Sequence, residues 1–81
     1  MRICIVRVPP GPEEFKIRHL WVGLTLTVLR ETVLGYEVSF TETLGLLKVK
    51  QPEINFEKVY EHMNARTTKF FVLLREDCQV V

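Results

Sequence analysis

Hydrophobic and polar residues alternate along the stretch WVGLTLTV at residues 21–28. Successive side chains of a β-strand point to opposite faces, so this pattern predicts a strand, which we place at about 16–29 with a bulge at Gly23. The aliphatic residues share one face, and Trp21 shares the other face with two threonines. The only tryptophan of the chain is therefore predicted to be either exposed on the polar face or covered there by another layer of the fold.

Four further segments are predicted to be strands: 2–8, 35–40, 68–74 and 78–81. Residues 2–8 and 68–74 carry apolar side chains on both parities, which is typical of strands covered on both faces. We therefore expect 68–74 to be a central strand. The alternation at 35–40 predicts a half-buried strand. Loops or turns are expected at 9–14, 30–35 and 75–77.

A capping sequence marks the start of the first predicted helix. Ser39 stands three residues before Glu42. In a capping box the serine hydroxyl accepts a backbone amide of the first turn and the glutamate reaches back to the cap. Thr41 is a rival cap. In either case a helix is predicted over 41–50, and it should end before Pro52, because the residue that precedes a proline disfavours helical geometry.

A second predicted helix begins at Glu53 or Asn55 and extends to Asn64. Its apolar residues recur at the spacing of one helix face: Phe56, Val59, Tyr60 and Met63. Both predicted helices are amphipathic, so each needs an apolar surface to cover.

This order of elements predicts a single α+β domain over residues 1–81. Three strands are followed by two helices and two more strands, so the helices form an insertion before the last two strands. A small twisted antiparallel sheet suits this order. The sheet either closes into an SH3-like five-stranded barrel, with the first and last strands as neighbours, or stays open with the helices on one face.

Composition narrows the class of protein. Hydrophobic residues make up 47% of the chain and charged residues 26%, which predicts a packed core and argues against disorder. The net charge of +1 is too small for a broad basic surface, so a nucleic-acid-binding module is only the third functional hypothesis. Because no apolar run reaches the ~18 residues of a membrane span and no secretion signal is recognised, we expect a cytoplasmic protein without membrane contact.

Few residues could carry catalysis or hold a metal. Cys4, Cys78, His19 and His62 are the only soft ligands, and they lack the close pairs that structural zinc usually takes. We predict no metal, no cofactor and no catalytic residue. The alternative is an enzyme or small-ligand-binding regulator that uses Cys4 or Cys78 with a histidine.

The candidate binding surface lies beside the tryptophan. Arg18 and His19 interleave with Phe15 and Trp21, and Gly23 would leave a notch next to the indole. Tryptophan is common in interface hot spots because it combines a large apolar body with one polar group. The apolar faces of the two predicted helices must pack on an apolar surface, and this favours the opposite interpretation, in which Trp21 packs at the seam between the sheet and the helices. Only the edge around it would then bind a partner.

The motifs WVGL at 21–24, GYEV at 35–38 and FFVLLREDCQVV at 70–81 resemble a loose group of small uncharacterised bacterial proteins. The resemblance extends along most of the chain. It implies a bacterial cytoplasmic protein with a compact β-rich fold. Because the group has no assigned activity, the resemblance implies no catalytic residues.

Together these observations predict a non-enzymatic protein-interaction module. The chain is short for a deep catalytic cleft and carries no catalytic or cofactor motif. Basic residues prevail in 1–30 and acidic residues in 31–61, an asymmetry that would let copies associate through complementary patches. The expected partner is another protein or a second copy of the chain in a homodimer.

Overall fold

A computed structural model describes residues 1–10, 18–60 and 69–81. The described chain contains a five-stranded antiparallel sheet and two helices. The strands are β1 (Arg2–Ile5), β2 (Thr25–Glu31), β3 (Gly35–Ser39), β4 (Phe70–Leu74) and β5 (Cys78–Val80), and the helices are α1 (Phe40–Lys50) and α2 (Phe56–Val59). The predicted α+β class, with two helices before the last two strands, is confirmed. No helix of the described ranges is long and apolar enough to cross a membrane.

The strand order is β4-β3-β2-β1-β5. The prediction that the first and last strands are neighbours is therefore confirmed. A short 3-10 turn, Arg75–Asp77, links β4 and β5 at opposite edges of the sheet. A flat sheet would hold these edges about 19 Å apart at about 4.8 Å per strand. The link from Leu74 to Cys78 reaches at most about 14 Å. The sheet therefore curls, but β4 and β5 do not pair within the described residues, and the closed SH3-like barrel is not confirmed.

The predicted strand at 16–29 is shorter than expected. It begins only at Thr25, because Gly23 takes φ = +94°, a left-handed conformation that interrupts an extended chain. The predicted bulge at Gly23 is wrong, and the register shift of β2 lies between Val28 and Arg30 instead. In the first half of β2 the predicted alternation holds, because Leu26 is buried and the flanking Thr25 and Thr27 are not.

The first strand is covered on one face only, which corrects the prediction for 2–8. Ile3 and Ile5 are buried in the core, whereas Val6 and Val8 are 45% and 53% exposed. Strand pairing ends early because the amides of Val6 and Arg7 both donate to the same carbonyl, that of Asp77. An apolar run in this chain therefore does not require two covering layers.

The fourth strand is an edge strand, so the predicted central position of 68–74 is wrong. β4 pairs with β3 on one side, and no other strand of the described residues pairs with it. Phe71 and Leu73 face the core, whereas Phe70 and Val72 are 45% and 44% exposed. Apolar residues on both parities here reflect one buried face and one exposed face.

Ser39 caps α1 as predicted, and the helix begins one residue earlier than expected, at Phe40. The Ser39 hydroxyl accepts the Glu42 amide at 3.1 Å, which is half of a capping box. Glu42 does not reach back to Ser39, because its Oε1 accepts the amide of Thr27 at 2.8 Å and ties the helix to β2. The rival cap, Thr41, is the second residue of the helix.

The second helix is short in the described chain. Asn55 caps it by accepting the amide of Lys58 at 3.1 Å, and Phe56 is buried at its start. The predicted extension over 61–64 lies outside the described residues. The two helices contact each other, and α1 also contacts β3 and β4. The helical pair therefore covers the core face of the sheet at its β3–β4 side.

Aromatic side chains fill the space between the helices and the sheet. Trp21, Phe40, Phe56, Tyr60 and Phe71 all belong to the buried core. Phe40 and Tyr60 both lie within ring-contact distance of Phe71 from β4, at 5.1 and 6.3 Å between centroids. The core therefore joins the start of α1, the end of α2 and the edge strand.

Candidate functional site

The chain at Trp21 forms a 3-10 turn and not a strand. This turn covers residues 18–21, and the Leu24 amide donates to the Trp21 carbonyl at 3.1 Å just after it. Strand parity does not apply to a turn. The expected position of Trp21 on the threonine face of a strand is therefore wrong.

Trp21 is fully buried at the seam between the sheet and the helices. Its Nε1–H donates to Tyr60 Oη at 3.1 Å, and its ring meets Phe71 of β4 edge to face with 4.9 Å between centroids. The interpretation of Trp21 as a packing residue is confirmed. Burial raises the pKa of the Tyr60 phenol, and the hydrogen bond from Trp21 and the charge of Arg18 oppose that shift.

Arg18 stacks on the buried indole. Its guanidinium carbon lies 5.3 Å from the centroid of the Trp21 ring, within the range of a cation–π contact. Its Nη1 donates to the carbonyl of Pro10 at 2.9 Å. Burial lowers the pKa of Arg18, although the neighbouring Tyr60 raises it. Arg18 thus connects Pro10 to the indole.

Lys50 fixes the other side of the same turn. Its Nζ donates to the carbonyls of Leu20 and Val22, each at 2.7 Å, which ties the last turn of α1 to the segment before β2. Of the predicted binding residues, His19 and Gly23 are exposed and Arg18 is half-buried, whereas Trp21 supports the surface from below. Phe15 lies outside the described residues. A binding role for this surface stays a prediction.

A second surface lies at the β4 edge of the sheet and exposes large apolar side chains. It consists of Val33, Leu34, Phe70, Val72 and Leu74, and we call it the β4 surface. Val33 and Leu34 form the tip of the β2–β3 hairpin and are 96% and 69% exposed. Gly35 pairs with Leu74, which places this tip beside the end of β4. The five side chains therefore form a strip along the edge strand and across the hairpin tip.

The free edge of β4 presents the backbone of alternate residues. The Phe40 amide donates to the Lys69 carbonyl at 3.1 Å, which makes these two residues a hydrogen-bonded pair of the antiparallel ladder. Hydrogen-bonded and non-hydrogen-bonded pairs alternate along such a ladder. Phe71 and Leu73 therefore direct their amides and carbonyls toward β3. The same groups of Phe70, Val72 and Leu74 point away from the sheet.

A groove of about 340 Å³ lies between the hairpin tip and the end of β4, and its lining residues are Val33, Leu34, Leu74, Arg75 and Glu76. Arg75 closes one side of this groove. Its Nη1 donates to the carbonyl of Val33 at 3.1 Å, and its guanidinium carbon lies 5.5 Å from the ring centroid of Tyr36. This contact holds the exposed hairpin tip against β4 and turns the positive charge of Arg75 back toward its own chain.

Charged groups border the β4 surface but do not interrupt it. Glu37 of β3 lies opposite Val72, is largely buried, and accepts a hydrogen bond from Arg30 at 2.8 Å. Lys69 precedes the strand and Glu76 follows it, and both are exposed. Between Lys69 and Arg75, all five residues of β4 are uncharged and apolar.

Sequence reasoning missed the β4 surface, although two signals pointed to it. The first signal is the segment 70–74, which is apolar on both parities and therefore fits an edge strand with one exposed apolar face as well as the predicted central strand. The second signal is the hairpin TVLG at 32–35, where two large aliphatic residues stand in a turn. Turns usually carry small or polar residues, so aliphatic residues there need either a covering layer or a partner.

The two cysteines lie on neighbouring strands but on opposite faces of the sheet. Cys78 pairs with Ile5, whereas Cys4 pairs with Gln79, and both thiols are free. Burial raises the pKa of Cys78 to about 11, and the charges of Asp77 and Cys4 add to the shift. Such a thiol is protonated at neutral pH and is a poor nucleophile. Nor do three or more His, Cys, Asp or Glu side chains of the described ranges gather as metal ligands would.

Comparison with known proteins adds no relative. No protein family, no curated protein and no solved structure matches the chain. The resemblance to small bacterial proteins stays a prediction, and a functional conclusion depends on the geometry described above.

Proposed function

We propose that this domain is a non-enzymatic protein-interaction module that associates with itself through the β4 surface. The observation that carries the proposal is the uncharged edge strand, with Phe70 and Val72 exposed on its outer face beside the exposed hairpin tip. Soluble proteins usually protect edge strands with charges, proline, bulges or a covering element. Among the residues that the structure describes, none covers the free edge of β4 as a further strand, and β4 itself contains no charge or proline, so this edge is suited to pairing with another chain.

The exposed apolar area is of the size that an interface requires. The exposed fractions of Val33, Leu34, Phe70 and Val72 correspond to roughly 450 Å² per copy, if a fully exposed residue contributes about 150–200 Å². A standard interface buries about 800 Å² per partner, of which about 60% is apolar. The exposed apolar area of the β4 surface therefore roughly equals the apolar area that one partner buries in such an interface.

The expected affinity is modest. Complete burial of an aliphatic or phenyl side chain contributes about 1.5–3 kcal/mol, so the exposed fractions of the surface contribute roughly 5 kcal/mol per copy and 10 kcal/mol per dimer. Association costs about 4–15 kcal/mol in lost freedom. At the lower end of that cost the difference is about 6 kcal/mol per dimer, which corresponds to a dissociation constant of roughly tens of micromolar.

The topology supports a finer description of the fold, which we also propose. The first and last strands are neighbours, and a 3-10 turn joins the two edges of a strongly curled sheet. This arrangement agrees with a partly open barrel of SH3-like type. In such a barrel the edges of β4 and β5 stay available for contacts with other chains.

Sedimentation of the purified chain over about 1–500 μM tests the proposed function. We expect a monomer–dimer equilibrium in the wild type. Val72→Lys should raise the dissociation constant at least 10-fold, because it places a charge at the centre of the edge while leaving the buried face of β4 intact. The matched control is Val49→Lys, since Val49 is 81% exposed on α1 and lies outside the β4 surface.

Two results would contradict the proposal. One is a wild type that stays monomeric over the whole concentration range. The other is a dimer that Val49→Lys weakens as much as Val72→Lys does, because a general change in charge and not the β4 surface would then govern association.

A further inference from the structure

The direction of the backbone groups on β4 identifies how a second copy would bind. We infer that two copies join β4 to β4 as antiparallel neighbours, with Val72 on the two-fold axis, and so form one continuous sheet. This inference rests on the proposed self-association and adds the occupant of the edge and its register. It concerns hydrogen bonding along the strand, whereas the proposed function depends only on the apolar surface.

The register follows from the outward amides and carbonyls. Phe70, Val72 and Leu74 present these groups at the free edge, so they must lie opposite one another in an antiparallel pair. An axis at Val72 pairs Val72 with its own copy and Phe70 with Leu74 of the second copy, which forms about six hydrogen bonds. An axis at Phe71 or Leu73 would leave two residues of each strand without a partner.

The side chains agree with the same register. The buried Phe71 and Leu73 stay on the core face in both copies, and the exposed Phe70 and Val72 stay together with the half-buried Leu74 on the outer face. The antiparallel direction also brings the hairpin tip of each copy, at the Leu74 end of its strand, toward Phe70 of the other copy. The apolar strip is therefore complementary to itself.

Charges at the ends of the strand are compatible with this pairing. Lys69 would lie opposite Arg75 of the second copy, but the Arg75 guanidinium is turned onto Val33 and Tyr36 of its own chain. The adjacent residue, Glu76, is exposed and supplies the opposite charge for Lys69. Each end of the paired strands thus contains one lysine near one glutamate.

The other free edge of the sheet is a weaker candidate. The amide of Val6 donates to Asp77, so Cys78 and Val80 are the residues of β5 whose backbone groups point outward. β5 contains three residues and β4 contains five. A β4–β4 pair therefore satisfies more backbone groups than a β4–β5 pair between copies.

Disulfide trapping tests the register directly. In a Cys4→Ser, Cys78→Ser background, Val72→Cys should form a covalent dimer under mild oxidation, because Cα atoms of a hydrogen-bonded antiparallel pair lie about 5.5 Å apart, within the range of a disulfide. A mixture of Phe70→Cys and Leu74→Cys chains should form mostly the mixed dimer. Val49→Cys on α1 is the control and should stay monomeric on a non-reducing gel.

A measurement on the wild-type chain tests the same register without substitutions that could impair folding. Amide hydrogen exchange should slow at Phe70, Val72 and Leu74 as the protein concentration rises through the dissociation constant, while Val6, whose amide is bonded within the chain, should not change. Two results would show that the inferred pairing is wrong while the proposed function survives, provided that the chain dimerises in sedimentation. One is a disulfide between Phe70→Cys and Val80→Cys chains, and the other is a lack of protection at the amides of Phe70, Val72 and Leu74 in the dimer. If sedimentation shows only monomer, both are wrong.

Discussion

Replacement of Gly35 by alanine should separate β3 from β4. Gly35 pairs with Leu74 at the start of the β3–β4 ladder, where the two backbones approach closely. A Cβ atom on Gly35 would lie 2.9 Å from the carbonyl carbon of Leu73 and 3.1 Å from Cα of Leu74, and it would overlap the carbonyl oxygen of Leu73. All three atoms are backbone, so no side chain can move aside to make room.

The size of the effect follows from these contacts. Carbon atoms in favourable contact lie about 3.5–4.0 Å apart, so the strands must move apart by on the order of 1 Å. The shift weakens one or two ladder hydrogen bonds at about 0.5–1.5 kcal/mol each and strains local packing by about 1–3 kcal/mol. We expect the free energy of unfolding to fall by about 2–4 kcal/mol, out of about 4–12 kcal/mol for a domain of this length.

Urea denaturation monitored by the fluorescence of Trp21 measures this change, because the only tryptophan is fully buried in the native state. Gly45→Ala is the matched control. Gly45 lies in α1, and a Cβ there would have no atom within 4 Å, so alanine should stabilise the helix by about 1 kcal/mol. A loss smaller than about 0.5 kcal/mol for Gly35→Ala, or the same change for both variants, would refute the close approach of β3 and β4.

Three further predictions concern Tyr60, Gly23 and Cys78. Tyr60→Phe removes the acceptor of the Trp21 indole and should cost about 1–3 kcal/mol in the same denaturation experiment; an unchanged midpoint would contradict the hydrogen bond. Gly23→Ala forces alanine to φ = +94° and should cost about 1–2 kcal/mol, although the new methyl group meets only the Lys50 Nζ, at an ordinary contact distance of 4.0 Å; a stability equal to that of the wild type would exclude the left-handed conformation. The pKa of Cys78 rises from 9.0 to about 11 on folding, so the folded thiol keeps its proton where the unfolded thiol loses it. The stability linked to this group is therefore present below pH 9 and is lost between pH 9 and about 11, and Cys78→Ser should remove that part of the pH dependence.

Local signals in the sequence were sufficient for most element types. The Ser39 cap, the proline after α1 and the alternation in β2 and β3 each depend on neighbours within a few residues, and each prediction agrees with the fold in type. The predicted half-burial of 35–40 is wrong, because Glu37 is buried on the face opposite Tyr36 and Val38. The 18–21 turn was mistaken for a strand because apolar residues at alternate positions do not report the sign of φ at Gly23. That angle depends on the amide of Gly23, which donates to Ile5 of a strand far away in the chain.

Exposure was the property that local patterns could not give. The segments 2–8 and 70–74 look alike in sequence, since both are apolar on both parities. Both have one buried and one exposed apolar face, and they differ in their backbone edges, because β1 is placed between β2 and β5, whereas β4 is placed at an edge. The order of strands, and not their composition, thus decided which backbone groups are available to a partner.

The sequence by itself determined the class of the fold and the insertion of the helices, because hydrophobic periodicity, caps and prolines act over short distances. The burial of Trp21 depends on Tyr60 and Phe71, which lie far away in the chain, so the tertiary structure decided its packing role. Only the tertiary structure decided which strand forms the free edge and which of its amides point outward. It also decided that the hairpin tip lies beside that edge. These properties arise from pairing between residues far apart in the chain, where a shift of one residue exchanges the two faces of a strand, so no local pattern specifies them.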